Sequence, residues 1–297
     1  MNTFTKHATS TVRAMLRGGP TGLNAIGSAL EKASRYVAFE ARALRSAAAH
    51  RIAVTPSDGS WLASRASNLV YDFGANRGLN FNYYFDRGLD IIAVEANPAL
   101  CASLQSRFAS QITAGRLTIV NACLWDEVTA ADIEFYVSDA SDVLSTSVAA
   151  AMVGDPADYH MIRVGTRRPS DLFREFGHPL YVKIDVEGLD ARLLSEIFRN
   201  YAPPIEHISA ESHDIGTFAN LVAAGYTQFK IVEGQFVSSP RYAIKSSDGQ
   251  DYRFPEHAAG PFGDDIPGEW LSSDMAFEYL REHGLGWKDI HATGKPV

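Results

Sequence analysis

The sequence predicts an α/β fold in which one doubly wound, mostly parallel sheet carries helices on both faces. Two observations lead to this prediction. From Asn68 onward, short apolar runs rich in β-branched residues alternate with longer stretches of helix-forming residues. The runs are almost continuously apolar, which is typical of parallel strands that are covered on both faces. In such a sheet, ligands bind beyond the carboxyl ends of the strands.

Six strands of the sheet are expected from these runs. They span residues 69–73, 91–95, 117–121, 180–185, 207–211 and 229–232. Another apolar run, residues 133–137, interrupts the alternation, and we expect it to form an extra strand or one arm of a hairpin.

The chain divides into three expected regions. Residues 1–65 read as a basic helical extension and linker, because residues 28–52 contain no internal proline or glycine. Residues 66–235 form the expected ligand-binding domain. Residues 236–297 read as a loop-rich flap over the site or an elaboration of the sheet edge, because residues 254–270 are rich in glycine and proline.

Composition excludes several classes of function. A net charge of -8 over 297 residues gives no reason to expect nucleic-acid binding. No run of about 20 apolar residues predicts a membrane span. Cys101 and Cys123 lie in apolar stretches, so we expect buried thiols in a reducing, cytoplasmic setting and no cysteine-based zinc site.

The first 55 residues hold eight basic residues but only two acidic ones. A basic helical arm is expected here, used for packing, for contact with a second copy of the chain, or for weak binding to an anionic surface. An organelle transit peptide is the alternative, because no acidic residue precedes Glu31.

The loop after the first expected strand reads "YDFGANRGLN". Gly74 and Gly78 allow a tight turn next to a ligand, but their spacing is not the G-x-G-x-x-G of dinucleotide-binding folds. Asp72 would repel a pyrophosphate at this point, whereas it would attract a positively charged ligand. S-adenosylmethionine fits, because it has an ammonium and a sulfonium group and no phosphate.

A second acid supports a nucleoside ligand. Glu95 ends the second expected strand, 23 residues after Asp72, where a ribose diol commonly finds its hydrogen-bond acceptor. The alternative is that Asp72 and Glu95 are a helix cap and a surface acid.

Three motifs, "YDFGANRG", "VEANP" and "LYVKIDVEGLDARLL", resemble those of the FkbM family of S-adenosylmethionine-dependent methyltransferases. The resemblance covers roughly residues 66–235, the expected ligand-binding domain. It departs from the family at Ala96, where proline is common, and at Phe73, where a small β-branched residue is usual. The resemblance implies a Rossmann-like class I methyltransferase sheet. It also implies methylation of hydroxyl groups on small-molecule or glycan acceptors, such as sugars and polyketide-like natural products.

The resemblance also implies which residues bind the cofactor. Asp72, Gly74, Asn76 and Gly78 would line its methionine end, Glu95 would hold the ribose with Asn97 nearby, and Ala122 and Leu124 would lie by the adenine.

Candidate catalytic residues follow the next two strands. In "KIDVEG", Asp185 and Glu187 lie two residues apart and so share one face of an extended chain. Asp185 could orient or deprotonate the acceptor, with Glu187 or His213 as its partner. Alternatively, Asp185 with Asp214 or Glu187 could hold Mg²⁺, or the acids could only cap the following helix. Lys183 is expected to form a structural ion pair.

Two other functions remain open from the sequence. Tyr226 and Lys230 match the Y-x-x-x-K motif of NAD(P)-dependent short-chain oxidoreductases. That chemistry needs both side chains on one face of a helix. The residues around them favour a turn and a strand instead. The other alternative is a catalytically silent scaffold that binds the cofactor.

Overall fold

The described residues belong to one unit of the chain, Val54–Val297. The computed structural model describes residues 57–60, 62, 67–127, 132–139 and 145–294. The expected basic extension, residues 1–65, lies almost entirely outside these ranges, so its helix and its role in self-association stay predictions. Among the described residues, no helix has the length and apolar character needed to cross a membrane.

Strands and helices alternate along the chain much as the sequence predicts. The strands are β1 (Leu69–Phe73), β2 (Asp90–Glu95), β3 (Leu117–Asn121), β4 (Cys123–Leu124), β5 (Asp132–Ser138), β6 (Tyr159–Arg167), β7 (Tyr181–Ile184), β8 (His207–Ser212), β9 (Gln228–Glu233), β10 (Ile244–Lys245), β11 (Asp251–Tyr252) and β12 (Gly286–Thr293). The α-helices are α1 (Phe81–Asp86), α2 (Pro98–Arg107), α3 (Ala109–Thr113), α4 (Pro169–Phe176), α5 (Asp190–Asn200), α6 (Ile215–Ala223) and α7 (Ser273–His283).

The main sheet has seven strands in the order β3-β2-β1-β7-β8-β12-β9. The neighbours from β3 to β8 pair in parallel, and only β12 runs antiparallel to both of its neighbours. The chain builds one half of the sheet outward from β1 to β3 and the other half from β7 onward. This reversal opens a crevice at the carboxyl ends of β1 and β7, where a doubly wound sheet binds its ligand. The predicted α/β doubly wound, Rossmann-like fold is confirmed.

Apolar side chains of the sheet alternate between two layers. Tyr71 and Phe73 of β1 pack with α4, α5, α6 and α7 on one face, whereas Val70 packs on the other face with α1 and α2. This alternation follows from the two-residue period of a strand. Because both faces are covered, the middle strands are buried along most of their length.

The apolar run at residues 133–137 forms β5, which pairs antiparallel with β6. β6 also pairs in parallel with the short strand β4, which follows β3 almost directly. The expected extra strand is therefore confirmed, and it forms part of a separate three-stranded sheet beside the third strand of the main sheet.

The segment after residue 235 differs from the loop-rich flap that the sequence predicts. Its last strand, β12, lies inside the main sheet, between β8 and β9. The sequence hides this strand because Lys288, Asp289 and His291 interrupt its apolar pattern, although all three are buried.

The glycine- and proline-rich stretch 254–270 contains no α-helix, as expected, but it is firmly packed against the fold. Phe262 stacks on Tyr181 of β7 with ring centroids 4.2 Å apart. Asp265 accepts a hydrogen bond from the Arg87 guanidinium at 2.7 Å and from the Tyr83 hydroxyl at 2.8 Å. Together with α1 and α2, this stretch therefore covers the second face of the sheet.

Candidate active site

The loop that follows β1 turns sharply against the end of β7. The amide groups of Gly74 and Ala75 both donate to the Val94 carbonyl at 3.0 Å. Gly74 has a φ of +76°, and a Cβ placed on it would lie 1.8 Å from the backbone oxygen of Asp185. Only glycine fits this close approach. Asn76 also adopts a positive φ of 46° in the same loop.

Glu95 at the end of β2 is fixed by backbone amides. One carboxylate oxygen accepts from the Asn76 amide and the other from the Asn97 amide, both at 2.8 Å. Burial raises the pKa of Glu95, and these hydrogen bonds oppose the rise. Each oxygen retains a further lone pair, so Glu95 can also accept from a diol.

Asp72, Lys183 and Asp185 form a charged triad at the ends of β1 and β7. The Lys183 ammonium lies 3.3 Å from Asp72 Oδ1 and 3.2 Å from Asp185 Oδ2, and it donates to the Gly74 carbonyl at 3.3 Å. Burial alone would lower the pKa of Lys183, but the two carboxylates raise it well above its usual value. The expected structural ion pair of Lys183 is therefore present.

Burial raises the pKa of Asp72, and the charge of Lys183 opposes the rise. With all three members of the triad ionised, two carboxylates against one ammonium leave one negative charge facing the crevice. A positively charged ligand is therefore favoured there, and a phosphate is not.

A cleft that is open to solvent joins these groups. It brings together eight of the residues that the sequence singles out. They are Asp72, Gly74, Asn76, Glu95, Ala122, Leu124, Asp185 and Glu187. They come from four strand ends that are distant in sequence, as expected for the carboxyl edge of a parallel sheet.

Four other predicted residues do not line this cleft. Gly78 serves packing, since a Cβ on it would lie 2.8 Å from the Leu104 and Phe81 side chains. Asn97 caps α2 by accepting from the Ala99 amide at 2.9 Å. His213 lies at the end of β8, with Nε2 2.9 Å from Glu211 Oε2.

Asp214, a predicted metal ligand, instead caps α6. Its side chain accepts from the Gly216 amide at 2.8 Å. A short polar side chain just before a helix satisfies an otherwise unpaired amide, and this local bond competes with metal binding. This capping bond gives no support to the pairing of Asp185 with Asp214 around Mg²⁺, which stays a prediction.

Several cleft residues escape the sequence analysis. Phe135 comes from β5, and Ala258 and Ala259 come from the loop that covers the second face. Neither segment carries a polar motif that would mark a site. Ser145, Ser147 and His257, which the sequence does not distinguish from ordinary loop residues, also line the cleft.

Buried acids surround the Asp185 side of the cleft. Burial, together with Asp185, raises the pKa of Glu187 to about 8, that of Asp190 to about 7 and that of Asp289 to about 8. The folded protein therefore binds protons at these carboxyl groups that the unfolded chain would release.

We expect Asp289→Asn to stabilise the unliganded protein by about 1–3 kcal/mol at pH 8, because it removes a buried carboxylate. The pKa of Asp289 rises on folding from its ordinary 3.8 to about 8. Its ionisation therefore costs stability progressively between those two pH values. The gain of the variant should grow from pH 5 to pH 8.5 in denaturant unfolding. Asp132→Asn, at an exposed position of β5, is the control, and an equal gain there would contradict the explanation.

Tyr226 and Lys230 do not form an oxidoreductase pair. Lys230 lies in β9 rather than on a helix, and its ammonium donates to the Ile266 carbonyl at 2.6 Å. The Tyr226 hydroxyl donates to the Ile205 carbonyl at 2.9 Å. Both groups are buried away from the cleft, as the sequence pattern of a turn and a strand predicts.

Cys101 and Cys123 are buried free thiols, also as predicted.

Solved structures with a similar chain path include several methyltransferases. One is the C-terminal domain of precorrin-6Y C5,15-methyltransferase from Rhodobacter capsulatus, which is 14% identical in sequence. The match covers 79% of this chain and 83% of that chain, with a TM-score of 0.38. Another is the O-methyltransferase from Bacillus cereus in complex with SAH, with 9% identity, 86% and 90% covered, and a TM-score of 0.36. These values are too low to carry an argument about function.

The comparison with family models is more informative. No curated protein sequence matches the chain. Residues 72–237 match the family model described as the methyltransferase FkbM domain. This range contains "VEANP", "LYVKIDVEGLDARLL" and all of "YDFGANRG" except its first residue, and it spans more than half of the 297 residues. The chain therefore belongs to the FkbM family of methyltransferases.

Proposed function

We propose that this S-adenosylmethionine-dependent methyltransferase transfers a methyl group to a hydroxyl oxygen on a sugar, a glycan or another natural product. One observation carries the proposal. Carboxylates stand at the adjacent ends of β2, β1 and β7 and face one cleft, with a glycine turn between them. No phosphate-binding arrangement accompanies them, since Asp72 lies where a pyrophosphate would sit.

The residues of the cleft fit S-adenosylmethionine. The net negative triad of Asp72, Lys183 and Asp185 suits the ammonium and sulfonium groups, and Glu95 offers acceptors to a ribose diol. Ala122 and Leu124 offer an apolar surface to the adenine. At Gly74 the loop after β1 approaches the Asp185 carbonyl so closely that no side chain fits, which keeps the ends of β1 and β7 together.

S-adenosylmethionine supplies an electrophilic methyl group on a sulfonium. The protein must hold the acceptor oxygen in line with that group and take up the hydroxyl proton. Asp185 is the group we propose for this role, because its side chain remains 35% exposed at the mouth of the cleft. Glu187 is the proposed partner on the same edge, and its pKa of about 8 suits exchange of a proton near neutral pH.

Methyl transfer to a panel of acceptors tests the proposal. Labelled S-adenosylmethionine is incubated with the full chain and with sugars, glycans and polyketide alcohols, each paired with its amino analogue. Label on the oxygen compounds is the expected result. Label only on the amines would overturn the choice of oxygen. Tight binding of S-adenosylhomocysteine without transfer to any compound would favour a silent scaffold.

We expect Asp72→Ala and Glu95→Ala each to weaken S-adenosylhomocysteine binding by about 1.5–3 kcal/mol, because each removes charge-assisted contacts. Calorimetry measures the affinity. Asp90→Ala is the matched control, because Asp90 begins the same strand that Glu95 ends and binds Arg116 at 3.1 Å. Affinity that stays unchanged in both site variants would remove the cofactor assignment.

A further inference from the structure

A group of side chains that could bind a metal ion lies beside the cleft. Glu187 follows β7, while Glu211 and His213 stand at the end of the neighbouring strand β8. One donor atom from each residue lies within 4.8 Å of the other two. Within the described part of the chain, these three residues form the only such group of three or more metal-binding side chains.

Glu211 has an unusual environment for a carboxylate. Its side chain is 8% exposed, and its Oε2 atom makes no hydrogen bond to any described residue. The four charged groups that raise the pKa of Glu211 most, Asp185, Asp289, Glu187 and Asp190, are all acidic. A buried carboxylate among other carboxylates requires a proton or a cation to balance it.

His213 is the one basic group in contact with that oxygen. Its Nε2 atom lies 2.9 Å from Glu211 Oε2. Two ligand atoms that are each about 2.1 Å from one ion, at right angles, are about 3 Å apart. The observed separation fits two neighbouring ligands around an octahedral ion, and it also fits a hydrogen bond between the imidazole and the carboxylate in the absence of an ion.

We propose that Glu187, Glu211 and His213 bind a divalent transition-metal ion at the edge of the cleft. Imidazole nitrogen together with carboxylate oxygen favours Zn²⁺ or Mn²⁺ over Mg²⁺, which prefers oxygen ligands alone. The His213 side chain is 45% exposed, so the ion has a path from solvent and keeps positions open to further ligands. Glu187 also lines the cleft, so an ion bound there would take the place of the proton that Glu187 exchanges in the metal-free protein.

Metal titration of the full chain tests this site without any acceptor or turnover, so its outcome is independent of the proposed methyl transfer. Calorimetry with Mn²⁺ and with Zn²⁺ should give one bound ion per chain. Glu211→Gln and His213→Ala should each weaken binding by at least about tenfold. Glu206→Gln is the matched control, because Glu206 Oε1 and His207 Nε2 form a second Glu–His pair, 3.6 Å apart, at the opposite end of β8.

A spectroscopic measurement keeps the proposal testable if a variant fails to fold. Substoichiometric Mn²⁺ should broaden the imidazole proton signals of His213 in the unchanged protein before those of His207 and His160. Binding that the Glu206 variant loses equally, or broadening that spares His213, would overturn the proposal. So would the absence of binding to the folded protein at millimolar Mn²⁺ and Zn²⁺.

Discussion

Asp185→Asn is expected to lower methyl transfer by about 10²–10⁴-fold, whereas S-adenosylhomocysteine affinity should fall by no more than about tenfold, because the triad loses one negative charge but keeps Asp72. The asparagine keeps the shape of the side chain but cannot take up a proton from the acceptor. Lys183 keeps its contacts with Asp72 and with the Gly74 carbonyl, so the cofactor end of the cleft should retain its form. Initial rates with an acceptor found in the panel, together with calorimetry, measure both effects.

Asp214→Asn is the matched control for this prediction. Asp214 lies at the same edge of the sheet, but its side chain caps α6, and asparagine caps a helix equally well. The control should therefore keep its turnover. If Asp185→Asn retained full turnover as well, the role of proton acceptor would have to be assigned to another residue.

Gly74→Ala should destabilise the protein by about 4 kcal/mol or more and reduce cofactor affinity by at least about 100-fold. Its new Cβ would lie 1.8 Å from the Asp185 carbonyl oxygen, which is far inside contact distance. Either the loop after β1 or the end of β7 must move, and both carry groups of the charged triad. Denaturant unfolding and calorimetry with S-adenosylhomocysteine measure the two losses.

Gly115→Ala separates this collision from simple backbone strain. Gly115 has a similar positive φ of 71°, but a Cβ there would meet nothing within 4 Å. The control should lose only the roughly 1–2 kcal/mol that a left-handed conformation costs an L-residue. Equal losses in the two variants would contradict the close contact between the loop and β7.

The strands of the parallel sheet could be predicted because their apolar runs are nearly unbroken. β12 could not, since its buried residues Lys288, Asp289 and His291 resemble those of an exposed segment. Strand prediction from sequence depends on a repeating pattern of apolar residues. A strand that buries polar side chains lacks this pattern. Six of the seven strands of the main sheet were therefore predictable, and β12 was not.

Some of the residues that the sequence predicts for the candidate site likewise line the cleft, and others do not. Asp72, Gly74, Glu95 and Asp185 follow strand ends, so the topology of the sheet brings them together. Asn97 and Asp214 follow strand ends too, but their side chains bond to amides two residues onward. A sequence does not separate a capping side chain from a ligand-binding one, because both require a short polar residue before a helix.

The position of β12 has a consequence for synthesis on the ribosome. Gly286–Thr293 emerge after every other strand of the main sheet, yet they lie between β8 and β9. Because β12 is the only neighbour of β9 in this sheet, β9 has no native strand partner until residues 286–293 have been synthesised. The main sheet can therefore be completed only at that late stage of translation.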